Sequence, residues 1–159
     1  MEFTHKLLEK YIDFFQHIIF VDQRQINFGK TLGLNFTNCT TNLAFAKLID
    51  FVDINFNNIQ RLGSPSTKQI TLALKNGIDI SRMSHREGNA VVDDIMTELN
   101  LRTIEKYSLC PGVNVINIFK PSNIIFTISS IKDDGMCYFR GGNGKKAWAR
   151  SLRPIGNNS

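Results

Sequence analysis

Displaced against itself by 44 residues, the chain aligns two stretches, DQRQINFGKTLGLNFTNCTTNLAFAKLIDF from Asp22 and STKQITLALKNGIDISRMSHREGNAVVDDI from Ser66. Gln25 meets Gln69, Ile26 meets Ile70, Gly33 meets Gly77, Ala46 meets Ala90 and Asp50 meets Asp94. Arg24 with Lys68, Phe28 with Leu72, Leu34 with Ile78, Thr37 with Ser81, Thr40 with Ser84 and Leu48 with Val92 are chemically similar pairs. After one added residue, Asn55 and Ile59 fall on Asn100 and Ile104. A fixed period of this size marks one small unit used twice. Such a unit cannot bury its apolar side chains alone, so two tandem copies are expected to share a core.

The matched residues are those that start and stop helices. Asp22 and Ser66 each stand three residues before a glutamine, the spacing at which both side chains satisfy free N–H groups at a helix start. Gly33 and Gly77 follow about ten residues later, suited to the left-handed conformation that ends a helix. Thr40, and Ser84 with Glu87, open a second helix with Leu43, Ala46 and Phe51, or Ala90, Val91, Ile95 and Leu99, at inward spacing. Asn55 and Asn100 are then expected to cap a short third helix carrying Ile59 and Leu62, or Ile104 and Tyr107. Ahead of the first copy, Leu7, Tyr11, Phe14, Phe15 and Ile18 form the stripe of an amphipathic N-terminal helix.

The window from Met83 to Lys106 holds a histidine, several acids and two arginines beyond Met83, and it invites a catalytic reading. REGNAVVDDIMTELNLR resembles the active-site segment of small PD-(D/E)XK restriction endonucleases, over fewer than twenty residues. That resemblance places the metal-binding aspartate on Ala90, the second acid on Asn100 and the lysine on Arg102. None of these supplies the anionic oxygens or the amine that metal-assisted hydrolysis needs. The window is therefore expected to be structural, with Asp93, Glu98 and Arg102 along a solvated helical face, and an inactive relative of that nuclease family is the weakest functional alternative.

Other routes to chemistry are equally thin. His5, His17 and His85 lack companions at metal-ligand spacing, and no cysteine or serine sits in a nucleophile signature. RGGNGKK, from Arg140, lacks the GxxxxGK[ST] spacing of a phosphate-binding loop and reads as a hairpin turn. We expect no catalytic residues, no metal and no cofactor, hence not an enzyme. Cys39, Cys110 and Cys137 are odd in number and scattered, which fits reduced thiols in a cytoplasmic or organelle-stroma setting. The N-terminus, with Glu2, Glu9 and Asp13 among its apolar residues, is not patterned as a signal peptide, and no stretch approaches a membrane span.

Charge separates the last third from the rest. Residues 1–63 and 64–109 are each balanced, whereas 110–159 carry seven basic residues against Asp133 and Asp134, so the whole net charge of +5 resides there. The grammar changes with it: CPGVNVINIF, NIIFTISSI, GMCYFRG and KAWARSL are β-rich runs separated by KPS, KDD and GNGK. The order Leu109, Pro111, Gly112, Val115, then an acidic turn, a glycine turn and Leu152-x-Pro154, resembles small Src-homology-like, Tudor and KOW-type β-barrels over about 45 residues. The resemblance implies a barrel fold, and among its members the partners are RNA, DNA, peptides or neighbouring domains.

The expected fold is thus α+β, all-α tandem repeats followed by a small barrel. Its divisions are 1–63 (N-terminal helix plus first repeat), 64–108 (second repeat), 109–155 (barrel) and a tail at 156–159. If Lys146 to Leu152 is one strand, Lys146, Trp148 and Arg150 share a face, and cations beside an indole suit phosphates and a stacked base. The candidate nucleic-acid-binding residues are Arg140, Lys145, Lys146, Trp148, Arg150 and Arg153. Arg24, Lys68, Arg82 and Arg86, near helix starts, are further candidates for phosphate contacts. The expected partner is DNA or RNA; the alternative is an adaptor or assembly factor that docks an acidic protein partner, with no membrane involvement.

Overall fold

A computed structural model describes residues 13–120 and 122–156. The fold is α+β: helices α1 (Gln23–Thr31), α2 (Thr41–Asn55), α3 (Thr67–Lys75) and α4 (His85–Tyr107) precede a five-stranded antiparallel sheet. The described residues divide into two compact units, one ending at Met96 and the other beginning at Thr97. That division lies inside α4, because Ile104 and Tyr107 pack on the core of the sheet. The expected N-terminal helix falls mainly outside the described residues; of its stripe, Phe15 is buried and stacks edge-on against Phe14 and Phe20.

In the helical unit the capping chemistry is as the sequence predicts. Asp22 accepts from Gln25 N and the Gln25 side chain accepts from Asp22 N; Ser66 and Gln69 repeat the pair. Gly33 and Gly77 take φ of +76° and +79°, where any Cβ would be strained. Further bonds recur 44 residues apart. Leu34 N donates to Gly29 O as Ile78 N does to Ala73 O, and Cys39 N to Phe36 O as Met83 N does to Ile80 O. Asn35 caps Thr37 N as Asp79 caps Ser81 N. Thr41 N donates to Ile19 O as His85 N does to Gly63 O. Val21 N donates to Cys39 O, but residue 65 is a proline and has no N–H with which to repeat that bond.

Across the two stretches the bonds are reciprocal. Thr40 Oγ1 donates to Asp94 at 2.5 Å and Asn42 Nδ2 to the same carboxylate at 3.3 Å. Ser84 donates to Asp50, and Arg86 Nη1 reaches Asp50 at 2.7 Å and Asp53 at 2.8 Å. Asp50 and Asp94 are both buried, so each carboxylate depends on these donors. The packing follows the same correspondence with different shapes: Gly29 lies against the buried ring of Phe36, while Ala73 and Ile80 fill the matching places.

Two sequence expectations are corrected here. No third helix follows Asn55 or begins at Asn100. After α2, Asn58 takes a positive φ and residues 58–66 are non-helical, while α4 runs unbroken through Asn100. Asn100 is 1% exposed and uses its side chain on distant backbone: Nδ2 donates to Asp134 O, and Oδ1 accepts from Arg150 N. Nor is the acidic face of α4 wholly solvated. Asp93 is exposed, but Glu98 is fully buried and receives Arg102 Nε at 2.9 Å.

The sheet unit contains β1 (Asn114–Asn117), β2 (Phe126–Ile131), β3 (Met136–Phe139), β4 (Lys146–Trp148) and β5 (Leu152–Pro154) in the order β4-β3-β2-β1-β5. Its core is Leu109, Val115, Ile128, Cys137, Phe139, Ala149 and Leu152. The single strand expected from Lys146 to Leu152 is broken by a 3-10 turn at Ala149–Ser151. Ala149 N turns to Gly135 O, at the start of β3, and Arg150 N is taken by Asn100, so the chain leaves β3 and re-enters the sheet beside β1. Gly135 is held close: a Cβ there would stand 2.4 Å from that of Asn100.

Candidate functional site

β3 and β4 form a hairpin whose tip is the predicted glycine turn. Gly141, Gly142, Asn143 and Gly144 all have positive φ, and Phe139 N closes the turn on Lys145 O. Strand alternation then sorts the side chains. Cys137 pairs with Ala147, and both face the core together with Phe139. Tyr138 pairs with Lys146 and Met136 with Trp148, which puts these four on the opposite, outer face. On the next strand Ser130 pairs with Tyr138, so exposed Ser130, half-buried Tyr138 and exposed Lys146 make one row across three strands.

Both rings of this face already hold cations. Lys132 Nζ and Lys146 Nζ lie 5.4 and 5.7 Å from the Tyr138 ring centre, and the Arg150 guanidinium lies 5.5 Å from that of Trp148. Distances of this kind are those of cation–π attraction, about 0.5–1 kcal/mol each at exposed sites. Arg150 is further fixed by Asn100, whose Oδ1 accepts from its backbone N and its Nη1. Partial burial pulls the Arg150 guanidinium below its ordinary pKa, without removing its charge at neutral pH.

Of the six predicted residues, Lys146, Trp148 and Arg150 come together on this face. Arg140 and Lys145 are exposed at the two ends of the hairpin tip, Arg140 N being held by Thr127 O. Arg153 is committed elsewhere: its guanidinium stacks 4.7 Å from the Tyr107 ring and donates to the carbonyls of Arg150 and Leu152. Sequence reasoning missed Lys132, Tyr138 and Ser130. Tyr138 was legible, since the turn at 141–144 sets which β3 residue faces Lys146; Lys132 and Ser130 needed the bulge between Ile128 and Ser130 to be known. Among the earlier phosphate-contact candidates, Arg24, Lys68 and Arg82 are exposed, whereas Arg86 bridges Asp50 and Asp53.

Two of the three cysteines, Cys39 and Cys137, are buried, while Cys110 is exposed. Burial pushes the Cys39 thiol up, and that of Cys137 up to about 11, which disfavours the thiolate. Among the described residues no group of three or more His, Cys, Asp or Glu stands together as metal ligands, and no helix is long and apolar enough to cross a membrane. Comparison with protein-family models, with curated proteins and with solved structures finds no match.

Proposed function

We propose that this protein binds nucleic acid without catalysing a reaction on it, through the outer face of β3 and β4. The observation that carries the reading is the pairing of two rings with three cations on one side of a hairpin: Tyr138 with Lys132 and Lys146, Trp148 with Arg150. Cations supply phosphate attraction and rings supply base stacking, the two terms on which sequence-tolerant nucleic-acid binding rests. The carboxylates that invited a nuclease reading support the non-catalytic one, since Asp94 is bound by Thr40 and Asn42 and Glu98 by Arg102.

We further read the sheet unit as a small Src-homology-like barrel. In favour stands the three-residue connection between β4 and β5, the two outermost strands in the sheet order. In a flat sheet those strands would lie about 19 Å apart, four spacings of ~4.8 Å, and the four Cα steps across three linking residues reach only about 14 Å. The helical unit we read as two copies of one repeat. The bonds recurring 44 residues apart support that reading, and the reciprocal contacts of Asp50 and Asp94 favour a two-fold pairing over a simple stack.

The test is a titration with a mixed set of labelled DNA and RNA at two ionic strengths, beside Lys132→Ala/Lys146→Ala. Binding that falls with salt and with the double substitution is expected; no binding at low salt overturns the reading. A second reading, an adaptor, is favoured by Phe28, Phe45 and Phe56, which are 53%, 62% and 72% exposed on the helical unit. It predicts a protein partner retained at high salt.

A further inference from the structure

We propose that the β3–β4 face takes single-stranded nucleic acid, RNA or DNA, in preference to duplex; this rests on the nucleic-acid reading above. The chemistry of the hairpin's free side decides the preference. A two-stranded ribbon that enters the major groove of duplex, about 12 Å wide, reads it by hydrogen bonds from side chains to base edges. Here the inner face is spent: Cys137 and Phe139 are buried in the core and Ala147 packs on it. Four and three residues of strand remain, with only their outer side and the glycine tip available.

What that side displays suits unpaired bases. Tyr138 and Trp148 stand diagonally across the hairpin, two residue pairs apart in register with Cys137 and Ala147 between them, so both rings belong to the outer face. A ring on such a surface meets the flat of a base only when the base is out of a duplex, where both of its flats are otherwise stacked. The hydroxyl of Ser130 lies in the same cross-strand row as Tyr138 and Lys146, within reach of a base edge or sugar. Lys132, Lys146 and Arg150 border the rings, where the backbone of a bound strand would run. Arg140 and Lys145 continue the positive charge along the tip. Duplex would meet the same cations, but the rings would contribute nothing to it.

The experiment uses the full chain and four probes of one sequence and equal length: single-stranded RNA, single-stranded DNA and the two corresponding duplexes. Trp148 is the one tryptophan of the chain, so its emission reports directly from the site. We expect at least tenfold tighter binding of one or both single strands than of their duplexes, with quenching of the tryptophan emission. Which single strand is bound identifies the source of the ligand. Tyr138→Ala and Trp148→Ala should each weaken single-strand binding by about 5- to 100-fold and duplex binding by less, while Trp148→Phe, which keeps a ring, should retain most of the single-strand binding. With three cations engaged, a tenfold rise in salt should weaken single-strand binding by about 100-fold. Duplex bound as tightly as single strand, with emission unquenched, overturns the strand preference and leaves nucleic-acid binding standing. No binding of any probe overturns both.

Discussion

Thr40 Oγ1 donates to the Asp94 carboxylate at 2.5 Å, and Ser84, which stands 44 residues after Thr40, donates in return to Asp50, 44 residues before Asp94. The two buried carboxylates are alike in position and unlike in charge compensation. Asp50 receives the guanidinium of Arg86, whereas Asp94 receives, among the described residues, the hydroxyl of Thr40 and the amide of Asn42.

That difference predicts a pH dependence of stability. Burial, reinforced by Asp93, raises the Asp94 carboxyl to about 6 against the pull of its hydrogen bonds. The folded state therefore keeps a proton that the unfolded chain releases near 3.8. Stability from this group is complete below 3.8 and is lost as pH rises through about 6, by roughly 3 kcal/mol in all. Burial raises the half-buried Glu87 carboxyl too, which adds in the same sense. Urea unfolding at pH 4 and pH 7 should show wild type losing more stability with rising pH than Asp94→Asn does; equal losses would contradict the assignment.

Asn42 occupies in the first stretch the place that Arg86 holds in the second. Asn42→Arg should therefore offer Asp94 a cation, lower its titration midpoint and raise stability at pH 7 by about 1 kcal/mol. The carboxyl midpoint, followed by NMR in the variant, checks this. An unmoved midpoint would mean that the new guanidinium does not reach Asp94.

Gly29 tests the packing correspondence. A Cβ at this position would stand 2.6 Å from the Phe36 ring, so Gly29→Ala should destabilise by about 1–2 kcal/mol although alanine favours a helix by up to ~1 kcal/mol. Phe36→Ile in addition recreates the Ala73 and Ile80 pair of the other stretch. The double variant should be more stable than Gly29→Ala alone, as thermal or urea unfolding would reveal.

Asn100 links helix to sheet chemistry within the second unit. Asn100→Ala removes the partner of Asp134 O and of Arg150 N, at a cost of about 2–3 kcal/mol. It also frees the Arg150 side chain, so nucleic-acid affinity should fall more than in Arg153→Ala, whose guanidinium is spent on Tyr107 and two carbonyls. Unfolding and binding measured on both variants check the two halves of this expectation.

Much of the local architecture is legible without a structure. Asp22, Ser66, Thr40 and Ser84 start helices because each side chain satisfies an N–H three residues ahead, a bond that local geometry alone arranges. The glycine turn likewise announces the β3–β4 hairpin, and period-two alternation places Lys146 with Trp148.

What failed were the assignments that depend on distant neighbours. Asn100 looks like a helix cap, because a cap and a buried mid-helix amide have the same residue type; only Asp134 and Arg150, 34 and 50 residues away, decide between them. Glu98 looks solvated for the same reason, and is fully buried. The sequence by itself determined where the four helices begin, where the glycine turn folds the chain back and where the positive charge accumulates, since these follow from short-range bonding and composition. Tertiary structure alone decided which carboxylate meets which donor, where the last strand breaks, and that Lys132 joins the face of Tyr138 and Trp148 while Arg153 does not. Those outcomes are set by burial, which obliges each polar group to find a partner wherever the fold brings one within reach.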